Sequence, residues 1–244
     1  MTRYDLDAGA GGGTRIGLVV LSTDETLEHE ARLAFTGRDV NLLHARIPSI
    51  AEVRPDTLAT MADEMTATAA LLPLGLSALG YACTSGATVI GPAEVARLLH
   101  IAHPNVPVSD PMTAVIAALR ALDASRIALV TPYLPSVTAP MRAHLAGHGI
   151  EVTHEVSFGE GDDRRVGRIT EASTRAAMLE AARAPGTEAI FASCTNLRSF
   201  GIIDRVEAET GLPVVTSNQA LLWHLVSLAG LPAGGSGPGR LWQD

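Results

Sequence analysis

The chain has two cysteines, Cys83 and Cys194, and both occupy positions suited to chemistry. Cys83 stands in the run YACTSG and Cys194 in the run ASCTNL, and each run follows an apolar stretch. The cysteines are 111 residues apart (194 − 83 = 111). The strand-like runs RIGLVV at 15–20 and RIALVT at 126–131 have the same separation (126 − 15 = 111). This spacing predicts a duplicated fold with one thiol in each copy.

Two thiols that face each other across one cleft can remove a proton from one face of a carbon and return one to the other face. A thiol has an ordinary pKa of about 8.5, and backbone N–H groups that point at the sulfur lower that pKa. The amides after each cysteine can also hold a carboxylate. Side-chain donors follow both cysteines, namely Thr84, Ser85, Thr195 and Asn196. The alternative is that both cysteines are small buried hydrophobic residues, but their shared Cys-Thr context favours catalysis.

Strand and helix patterns alternate along both halves of the chain. Strand patterns lie near 15–21, 40–47, 78–82, 106–108, 126–131, 150–157, 188–193 and 212–215. Helix patterns lie near 24–35, 55–72, 136–147 and 168–183, and others begin at Pro92, after Asp110 and after a cap at Ser217 or Asn218. Such alternation is typical of parallel sheets that are covered by helices.

The predicted fold class is therefore α/β, with two pseudo-twofold-related lobes that each contain a small parallel sheet flanked by helices. Ligands of such sheets bind beyond the carboxyl ends of the strands. Both cysteines lie at such ends, so we expect the active site in the cleft between the lobes. The predicted organisation is a flexible leader at 1–14, an N-terminal lobe at 15–113 completed by the C-terminal helix 217–230, a C-terminal lobe at 114–216 and a disordered tail at 231–244.

The composition argues against several kinds of partner. A formal charge of −8 without a Lys/Arg cluster disfavours nucleic acid and anionic membranes. No apolar run reaches the ~18–20 residues that a membrane span needs, and residues 1–14 contain no hydrophobic secretory core. These features predict a cytoplasmic protein, and reduced thiols are normal in that compartment.

Neither a metal nor a cofactor is predicted. His144 and His148 have the i, i+4 spacing of a zinc pair, but Gly147 lies between them and no Glu adjoins His144. The glycines at 9 and 11–13 precede the first strand, whereas a dinucleotide fingerprint follows one. The chain contains no Walker loop and no recognisable nucleophile elbow.

Three motifs of this chain resemble motifs of the aspartate/glutamate racemase superfamily. They are most similar to those of the branch that contains maleate isomerase and arylmalonate decarboxylase. They are YACTS at 81–85, TPY at 131–133 and SCTNLR at 193–198. The resemblance runs from Arg15 to Gly230. Within the branch, the opening LVVLSTDET at 18–26 is most similar to the ectoine-utilisation protein A group.

The resemblance implies a cofactor-free enzyme in which two cysteines face a small carboxylate, and it implies a homo-oligomer. In the racemases, one thiolate removes the proton next to the carboxylate and the other thiol protonates the opposite face. In maleate isomerase, the cysteine that matches Cys83 attacks the double bond, and the one that matches Cys194 assists with the proton. The decarboxylases keep only the second cysteine, so the presence of Cys83 argues against decarboxylation.

The resemblance also implies further substrate ligands, which are Ser22, Asp24, Tyr133 and Asp163. Tyr133 follows a strand where the family places a substrate-contacting tyrosine, although a surface-loop role is the alternative. Asp24 and Asp163 match asparagines of maleate isomerase. Because an ionised aspartate accepts hydrogen bonds but donates none, these acids favour an ammonium or amide N–H on the substrate. The alternatives are a helix cap for Asp24 and a solvated loop position for Asp163.

The sequence thus predicts a cofactor-independent racemase or isomerase of a small amino-acid-like carboxylate, similar to aspartate/glutamate racemases and with a place in ectoine degradation. Cys83 and Cys194 are the expected catalytic pair. One alternative is a maleate cis–trans isomerase. The other is a non-catalytic, two-lobed protein that binds a small molecule, in which neither thiol matters.

Overall fold

The computed structural model describes residues 1–7, 9, 13–235 and 237–243, and it contains two four-stranded parallel sheets. The first sheet has the order β2-β1-β3-β4 and the second the order β6-β5-β7-β8. The strands are β1 (Thr14–Leu21), β2 (Val40–Ile47), β3 (Ala78–Ala82), β4 (Val108–Ser109), β5 (Arg126–Thr131), β6 (Glu151–Ser157), β7 (Ala189–Ala192) and β8 (Val214–Thr216). All pairings within these sheets are parallel.

Strand register confirms the predicted duplication and the α/β fold class. Ile16 of β1 pairs with Ala78 of β3, and Ile127 of β5 pairs with Ala189 of β7. Both members of the second pair lie 111 positions after those of the first (127 − 16 and 189 − 78). Among the central strands, β3 and β7 are buried along their whole length, and β1 and β5 are buried except at their first residues, because helices cover both faces.

Helices connect the strands in each lobe. They are α1 (Leu27–Ala34), α2 (Pro55–Ala59), α3 (Met61–Ala69), α4 (Thr84–Ile90), α5 (Pro92–Ala102), α6 (Pro111–Ala121), α7 (Pro135–Gly147), α8 (Asp163–Val166), α9 (Glu171–Ala181), α10 (Ile203–Thr210) and α11 (Ser217–Leu228), with 3-10 turns at Phe200–Ile202 and Arg240–Trp242. None of the helices in the described ranges is long and apolar enough to cross a membrane.

Several helix boundaries differ from the sequence-based expectations, and capping explains two of the differences. The segment predicted as one helix over 55–72 is α2 and α3, which meet at Thr60. The helix predicted over 168–183 begins at Glu171 because the Thr170 side chain accepts a hydrogen bond from the Ser173 amide. The last helix is capped by Thr216, in a reciprocal box with Gln219, rather than by Ser217 or Asn218.

The last helix of each half packs toward the opposite lobe. In α11, Leu221 and Leu225 lie against Gly80 of β3, and His224 Nδ1 is 2.8 Å from the Ser109 hydroxyl. In the other direction, α6 contacts β8. This exchange of helices ties the two lobes together. The lobe boundaries drawn from the sequence stay a prediction.

The described residues of the two ends of the chain differ in secondary structure. Of the predicted leader, Ala8, Ala10, Gly11 and Gly12 lie outside the described residues, and 1–7 form neither helix nor strand. The predicted disordered tail includes Ser236 and Asp244, which also lie outside the described residues, but its residues 240–242 form a 3-10 turn.

The tail differs from the prediction because it carries an apolar anchor that its Gly/Pro content conceals. Trp242 is only 1% exposed. The guanidinium of Arg38 lies 5.4 Å from the centre of the Trp242 ring and donates hydrogen bonds to the carbonyls of Pro232, Ala233 and Gly234. The tail is thereby fastened to both the core and the loop before β2.

Replacing Trp242 with alanine is expected to lower the free energy of unfolding by about 3–5 kcal/mol, because it removes a buried aromatic side chain and leaves a cavity. Urea titration at neutral pH measures this loss. The matched control is Gln243→Ala, since the neighbouring Gln243 side chain is exposed. Equal midpoints for the two variants would show that the tail does not stabilise the fold.

Candidate active site

Cys83 stands at the carboxyl end of β3 and caps α4. Its sulfur accepts a hydrogen bond from the Gly86 amide at 3.2 Å and lies 3.6 Å from the Ser85 hydroxyl. A Cβ at Gly86 would lie 2.3 Å from the Tyr81 hydroxyl and 3.0 Å from the Cys83 sulfur. Glycine is therefore required for the backbone to approach the thiol so closely.

Cys194 has the equivalent place at the end of β7. Its sulfur accepts a hydrogen bond from the Asn196 amide at 3.3 Å. Its φ of 123° lies in a region that non-glycine residues rarely adopt, at a cost of about 1–3 kcal/mol. Strain of this kind persists only where the surroundings hold the residue firmly, and here the Cys194 amide donates to the Ser217 hydroxyl at 3.0 Å.

The hydroxyl of Ser217 joins the two cysteine loops. It accepts from the Cys194 amide at 3.0 Å and from the Thr84 hydroxyl at 2.7 Å. The Thr195 hydroxyl reaches the other lobe as well, where it donates to the Ala82 carbonyl at 3.3 Å. Thr84 was predicted to hold a substrate carboxylate, but its hydroxyl instead donates to Ser217 and so connects the two cysteine loops. Ser217, which sequence reasoning considered only as a helix cap, fixes the relative position of the two thiols.

Both thiols line one small, nearly closed cavity between the lobes, with a volume of about 10 Å³. Of the predicted site residues, the cavity wall includes Cys83, Ser85, Tyr133, Asp163, Cys194 and Thr195. Its other lining residues, which sequence reasoning missed, are Leu21, Ser49, Ile50, Val53, Thr57, Leu58 and Met61. A wider surface groove of about 560 Å³ lies beside Arg142 and Ile150, but none of its lining residues is a cysteine.

Two backbone hydrogen bonds link the lobes at residues that line the cavity, Val53 and Asp163. The Val53 amide donates to the Gly161 carbonyl and the Asp163 amide donates to the Ala51 carbonyl, both at 2.8 Å. These bonds connect the loop after β2 with the loop after β6, so they span the two lobes. A volume near 10 Å³ holds about one water molecule, so the cavity must widen before it can hold a substrate.

Both thiols are protonated at neutral pH in this closed state. Burial raises the pKa of Cys83 to about 11. Burial, followed by the negative charge of Asp163, raises the pKa of Cys194 well above its ordinary value. The sequence-based expectation that backbone N–H groups leave these thiols with a lowered pKa is wrong for the closed cavity, because desolvation outweighs the N–H dipoles.

Tyr133 is a wall of the cavity rather than a surface-loop residue. Its side chain is only 2% exposed and lies beside Cys194 and Ser85. Burial and the two neighbouring thiols raise its pKa well above the ordinary range. The phenol is therefore a neutral hydrogen-bond donor at physiological pH, directed at the region between the thiols.

Asp163 is a buried carboxylate in the cavity wall, not a solvated loop residue. Its Oδ2 accepts a hydrogen bond from the Thr23 hydroxyl at 2.6 Å. Burial raises its pKa, while the bond from Thr23 opposes that shift. The described residues that line the cavity include no Lys, Arg or His, so this carboxylate faces the cavity without a basic partner there.

Asp24 lies two residues before Thr26, the N-cap of α1, binds the first amides of that helix and is not among the residues that line the cavity. Its Oδ1 accepts hydrogen bonds from the Thr26 and Leu27 amides at 2.8 and 2.9 Å. Its Oδ2 is buried with no hydrogen-bond partner among the described residues, and burial raises its pKa to about 6. The structure therefore agrees with the helix-cap interpretation of Asp24, whereas its role as a substrate ligand stays a prediction.

Ser22 and Asn196 make contacts within the protein. Ser22 is exposed and its hydroxyl lies 3.0 Å from that of Ser49. The Asn196 amide group donates to the Asp163 carbonyl at 2.8 Å and accepts from the Glu25 amide at 3.0 Å. Asn196 therefore ties the Cys194 loop to both lobes, and its backbone amide rather than its side chain faces the thiol.

A buried glutamate supports the Cys194 loop from behind, and sequence reasoning missed it. Glu30 accepts hydrogen bonds from the Ser199 and Phe200 amides at 3.1 and 3.0 Å. It also accepts from the Asn218 amide at 2.6 Å, and the same amide donates to the Thr195 carbonyl at 2.7 Å. A charged residue on the buried face of an amphipathic helix is the signal that could have revealed it.

Glu30 makes stability depend on pH. Burial raises its pKa from 4.5 to about 7, so its contribution is complete below pH 4.5 and is lost as the pH rises through 7. The shift corresponds to about 3 kcal/mol. The free energy of unfolding of the wild type should therefore fall between pH 4.5 and 8, and Glu30 accounts for this part of the fall. Glu30→Gln cannot ionise at this position, so urea titration should show a smaller fall for that variant. The exposed Glu64→Gln is the control, and equal declines in both variants would contradict the assignment.

No group of three or more His, Cys, Asp or Glu residues that could hold a metal occurs within the described part of the chain. The rings of His144 and His148 are 4.6 Å apart, and the His148 Nδ1 is 2.9 Å from the His144 carbonyl oxygen. These contacts are local to the end of α7.

The fold and the site define a two-lobed α/β protein whose repeat-related strands bring two thiols to one closed cavity. Residues 16–242 match the model of the arylmalonate decarboxylase family, and the chain belongs to that family. This places it on the predicted branch of the racemase superfamily. Membership of the ectoine-utilisation protein A group stays a prediction.

Similar proteins include relatives named maleate isomerase and relatives named arylmalonate decarboxylase. The maleate isomerase of Nocardia farcinica is 28% identical over 96% of this chain and 97% of its own. The arylmalonate decarboxylase of Bordetella bronchiseptica is 34% identical over 57% of this chain and 59% of its own. A solved cysteine-to-serine mutant of the Nocardia farcinica maleate cis-trans isomerase, with a covalently bound succinylcysteine intermediate, has a TM-score of 0.84 at 28% identity, covering 95% of this chain and 99% of that one.

Proposed function

We propose that this protein is a cofactor-independent isomerase of a small carboxylate, with Cys83 and Cys194 as its catalytic pair. The observation that carries the proposal is the position of the two thiols, which come from equivalent strand ends and line the same closed cavity. Full-length relatives named maleate isomerase support an enzyme of the isomerase type. Their likeness also argues against a protein that only binds small molecules.

The substrate that suits the cavity best is amino-acid-like, and the corresponding reaction is racemisation. Asp163 is a buried carboxylate without a basic partner in the cavity wall. A dicarboxylate would be repelled by this charge, whereas a substrate ammonium would pair with it. The hydroxyl of Ser85 and the phenol of Tyr133 remain as donors for a substrate carboxylate, because the Thr195 hydroxyl donates to the Ala82 carbonyl.

An ammonium beside Asp163 would also help to activate the thiols. The negative charge of Asp163 contributes to the raised pKa of both Cys83 and Cys194. A positive charge next to that carboxylate cancels part of its effect, so the pKa of each thiol falls when the substrate binds. A substrate without a cationic group brings no such help.

In the proposed reaction, one cysteine thiolate takes the hydrogen from the carbon next to the carboxylate, and the electron pair moves into the carboxylate. The other thiol then gives its proton to the opposite face of that carbon. The product is the mirror image of the substrate, and the two sulfurs have exchanged their protonation states. Preorganised donors at the carboxylate stabilise the charge that develops there.

A second candidate is cis–trans isomerisation of maleate, which the full-length maleate isomerase relatives favour. The succinylcysteine found in the Nocardia farcinica enzyme indicates the chemistry. Here Cys83 would add its sulfur to one alkene carbon, the resulting single bond would rotate, and loss of the thiolate would release fumarate. Cys194 would assist with the proton.

A substrate panel separates the two candidates. Purified protein is incubated with each enantiomer of aspartate, glutamate and diaminobutyrate derivatives, and separately with maleate. Chiral chromatography detects racemisation, and the decrease in ultraviolet absorbance detects conversion of maleate. We expect racemisation of at least one amino acid and little conversion of maleate. Efficient conversion of maleate with no action on amino acids would overturn the racemase assignment.

We further propose that the protein works as a cytoplasmic homo-oligomer and takes part in ectoine degradation. Support for the oligomer and for the pathway comes from the resemblance stated above, and the proposed location agrees with reduced cysteines at the site. Light scattering after size-exclusion chromatography measures the oligomeric state. Racemisation of diaminobutyrate derivatives in the panel would support the pathway.

A further inference from the structure

A chain of hydroxyl groups leads from the protein surface to Asp163. The Ser22 and Ser49 hydroxyls are 3.0 Å apart, and the Ser49 and Thr23 hydroxyls are 3.1 Å apart. The Thr23 hydroxyl then donates to Asp163 Oδ2 at 2.6 Å. Ser22 is exposed, Ser49 is half-buried, and Thr23 and Asp163 are buried. Every link is within hydrogen-bond distance.

Backbone contacts hold this chain of hydroxyls in register. The Ser49 amide donates to the Ser22 hydroxyl at 3.1 Å, and the Thr23 amide donates to the Ser49 hydroxyl at 3.3 Å. The contributing segments are the loop after β1 and the loop after β2, and Asp163 opens α8 in the other lobe. The chain thus crosses from one lobe to the other at the cavity wall.

The proposed racemisation, on which this inference rests, creates a need for such a path. Each turnover leaves the two thiols with exchanged protonation states, so a proton must leave one sulfur and another must reach its partner before the next turnover. Both sulfurs are buried in a cavity with room for about one water. Among the described residues that line the cavity, Asp163 is the one carboxylate.

We propose that Asp163, Thr23, Ser49 and Ser22 form a proton relay that connects the cavity with solvent and resets the thiols between turnovers. In the outward direction, a thiol proton reaches the Asp163 carboxylate through the one water that the cavity can hold. The proton on Asp163 Oδ2 then passes to the Thr23 oxygen while Thr23 passes its own hydroxyl proton to Ser49. Ser49 in turn passes a proton to Ser22, and Ser22 passes one to water. No bond between heavy atoms changes, and the reverse sequence brings a proton in.

The buried carboxyl of Asp163 is suited to this task. Burial raises its pKa, so the protonated form that carries the proton is more accessible than on the surface. The charged or titratable groups around it are Asp162 on its own helix, Asp24 on the loop after β1, and the two thiols. Each of these is acidic, and none supplies a positive charge that would hold Asp163 permanently ionised.

Thr23→Val tests the relay because valine has nearly the shape of threonine but lacks the hydroxyl. The reset occurs after the chemical step, so it limits repeated turnover but not the first one. We expect kcat to fall by about 10²-fold, whereas the single-turnover rate falls far less when it is measured with enzyme in saturating excess, so that weaker substrate binding beside Asp163 does not limit it. Thr23→Ser keeps the hydroxyl and is expected to retain kcat. Thr66→Val, which loses a half-buried hydroxyl bonded to the Leu98 carbonyl away from the cavity, is the control.

A purely structural role for Thr23 would change both rates together or neither, and either result would overturn the relay. Ser49→Ala interrupts the same chain at another link and replaces Thr23→Val if that variant does not fold. The same split between kcat and the single-turnover rate is expected for it. If the wild type shows no turnover on any amino acid, the proposed racemisation fails and the relay fails with it. If the wild type is active and the split is absent, only the relay fails.

Discussion

Serine in place of either Cys83 or Cys194 is expected to lower turnover by about 10²–10⁴-fold, the range associated with loss of a positioned acid or base. A serine hydroxyl is a far weaker acid than a thiol, so it neither forms the required anion nor delivers a proton at neutral pH. The Gly86 and Asn196 amides that contact the sulfurs can still bind the hydroxyl oxygen. The fold and the substrate-binding groups should therefore remain intact.

The double variant provides the sharper form of this test. The effects of replacing two groups that act in one reaction are not additive, so the double serine variant should be little slower than either single variant. Circular dichroism and the midpoint of urea unfolding check that each variant is folded, and calorimetry with the accepted substrate checks that it still binds. A variant at either position that keeps wild-type turnover would show that its thiol is only a buried hydrophobic group.

Asp163→Asn is expected to change which substrates are accepted. An ammonium paired with a buried carboxylate loses about 3–5 kcal/mol when the carboxylate is removed, which corresponds to about a 10²–10⁴-fold fall in kcat/KM for the amino acid. Binding of a dicarboxylate should improve, because the amide carries no charge and can donate a hydrogen bond. Initial rates and competitive inhibition by maleate measure the two effects.

The neighbouring residue supplies the matched control for that substitution. Asp162 caps α8 by accepting a hydrogen bond from the Arg164 amide, and asparagine caps helices as well as aspartate does. Asp162→Asn therefore removes one negative charge nearby without removing the cavity carboxylate. Equal effects of the two substitutions, or no effect of Asp163→Asn, would show that Asp163 does not contact an ammonium.

The pH profile gives a second readout for Asp163. Burial raises its pKa, so the carboxyl becomes neutral at a higher pH than a surface aspartate does. As the pH falls through that raised pKa, the cavity loses its negative charge, and kcat/KM for an ammonium substrate should fall with it. This acid limb should be absent in Asp163→Asn.

The duplicated fold could be predicted from the sequence because the patterns that indicate it are local and occur twice. Strand runs such as RIGLVV and RIALVT recur at the interval that separates Cys83 from Cys194, and both cysteines follow buried strands. A single repeat length therefore predicted the paired sheets and the meeting of the two thiols. Asp163 and Tyr133 followed from the resemblance, and the structure places both at the cavity.

The parts that could not be predicted depend on contacts between distant segments. The role of Ser217 between the two loops requires knowing that α11 crosses to the other lobe. Glu30 supports Thr195 through Asn218, and these residues are far apart in sequence. The raised pKa of the thiols follows from closure of the cavity, which local sequence does not reveal. In the tail, Trp242 outweighs the surrounding glycines because one buried aromatic side chain can anchor a polar segment.

The account as a whole depends on each thiol serving a different face of the same carbon, and hydrogen exchange in deuterated water tests this most directly. One enantiomer of the accepted amino acid is incubated with the wild-type protein, and proton NMR follows the hydrogen next to the carboxylate in substrate and product at early times. Two thiols predict deuterium at that carbon in the product while the remaining substrate keeps its hydrogen. Product that retains the original hydrogen, or substrate that exchanges as fast as product forms, would mean that a single base serves both faces and would contradict the paired-thiol mechanism.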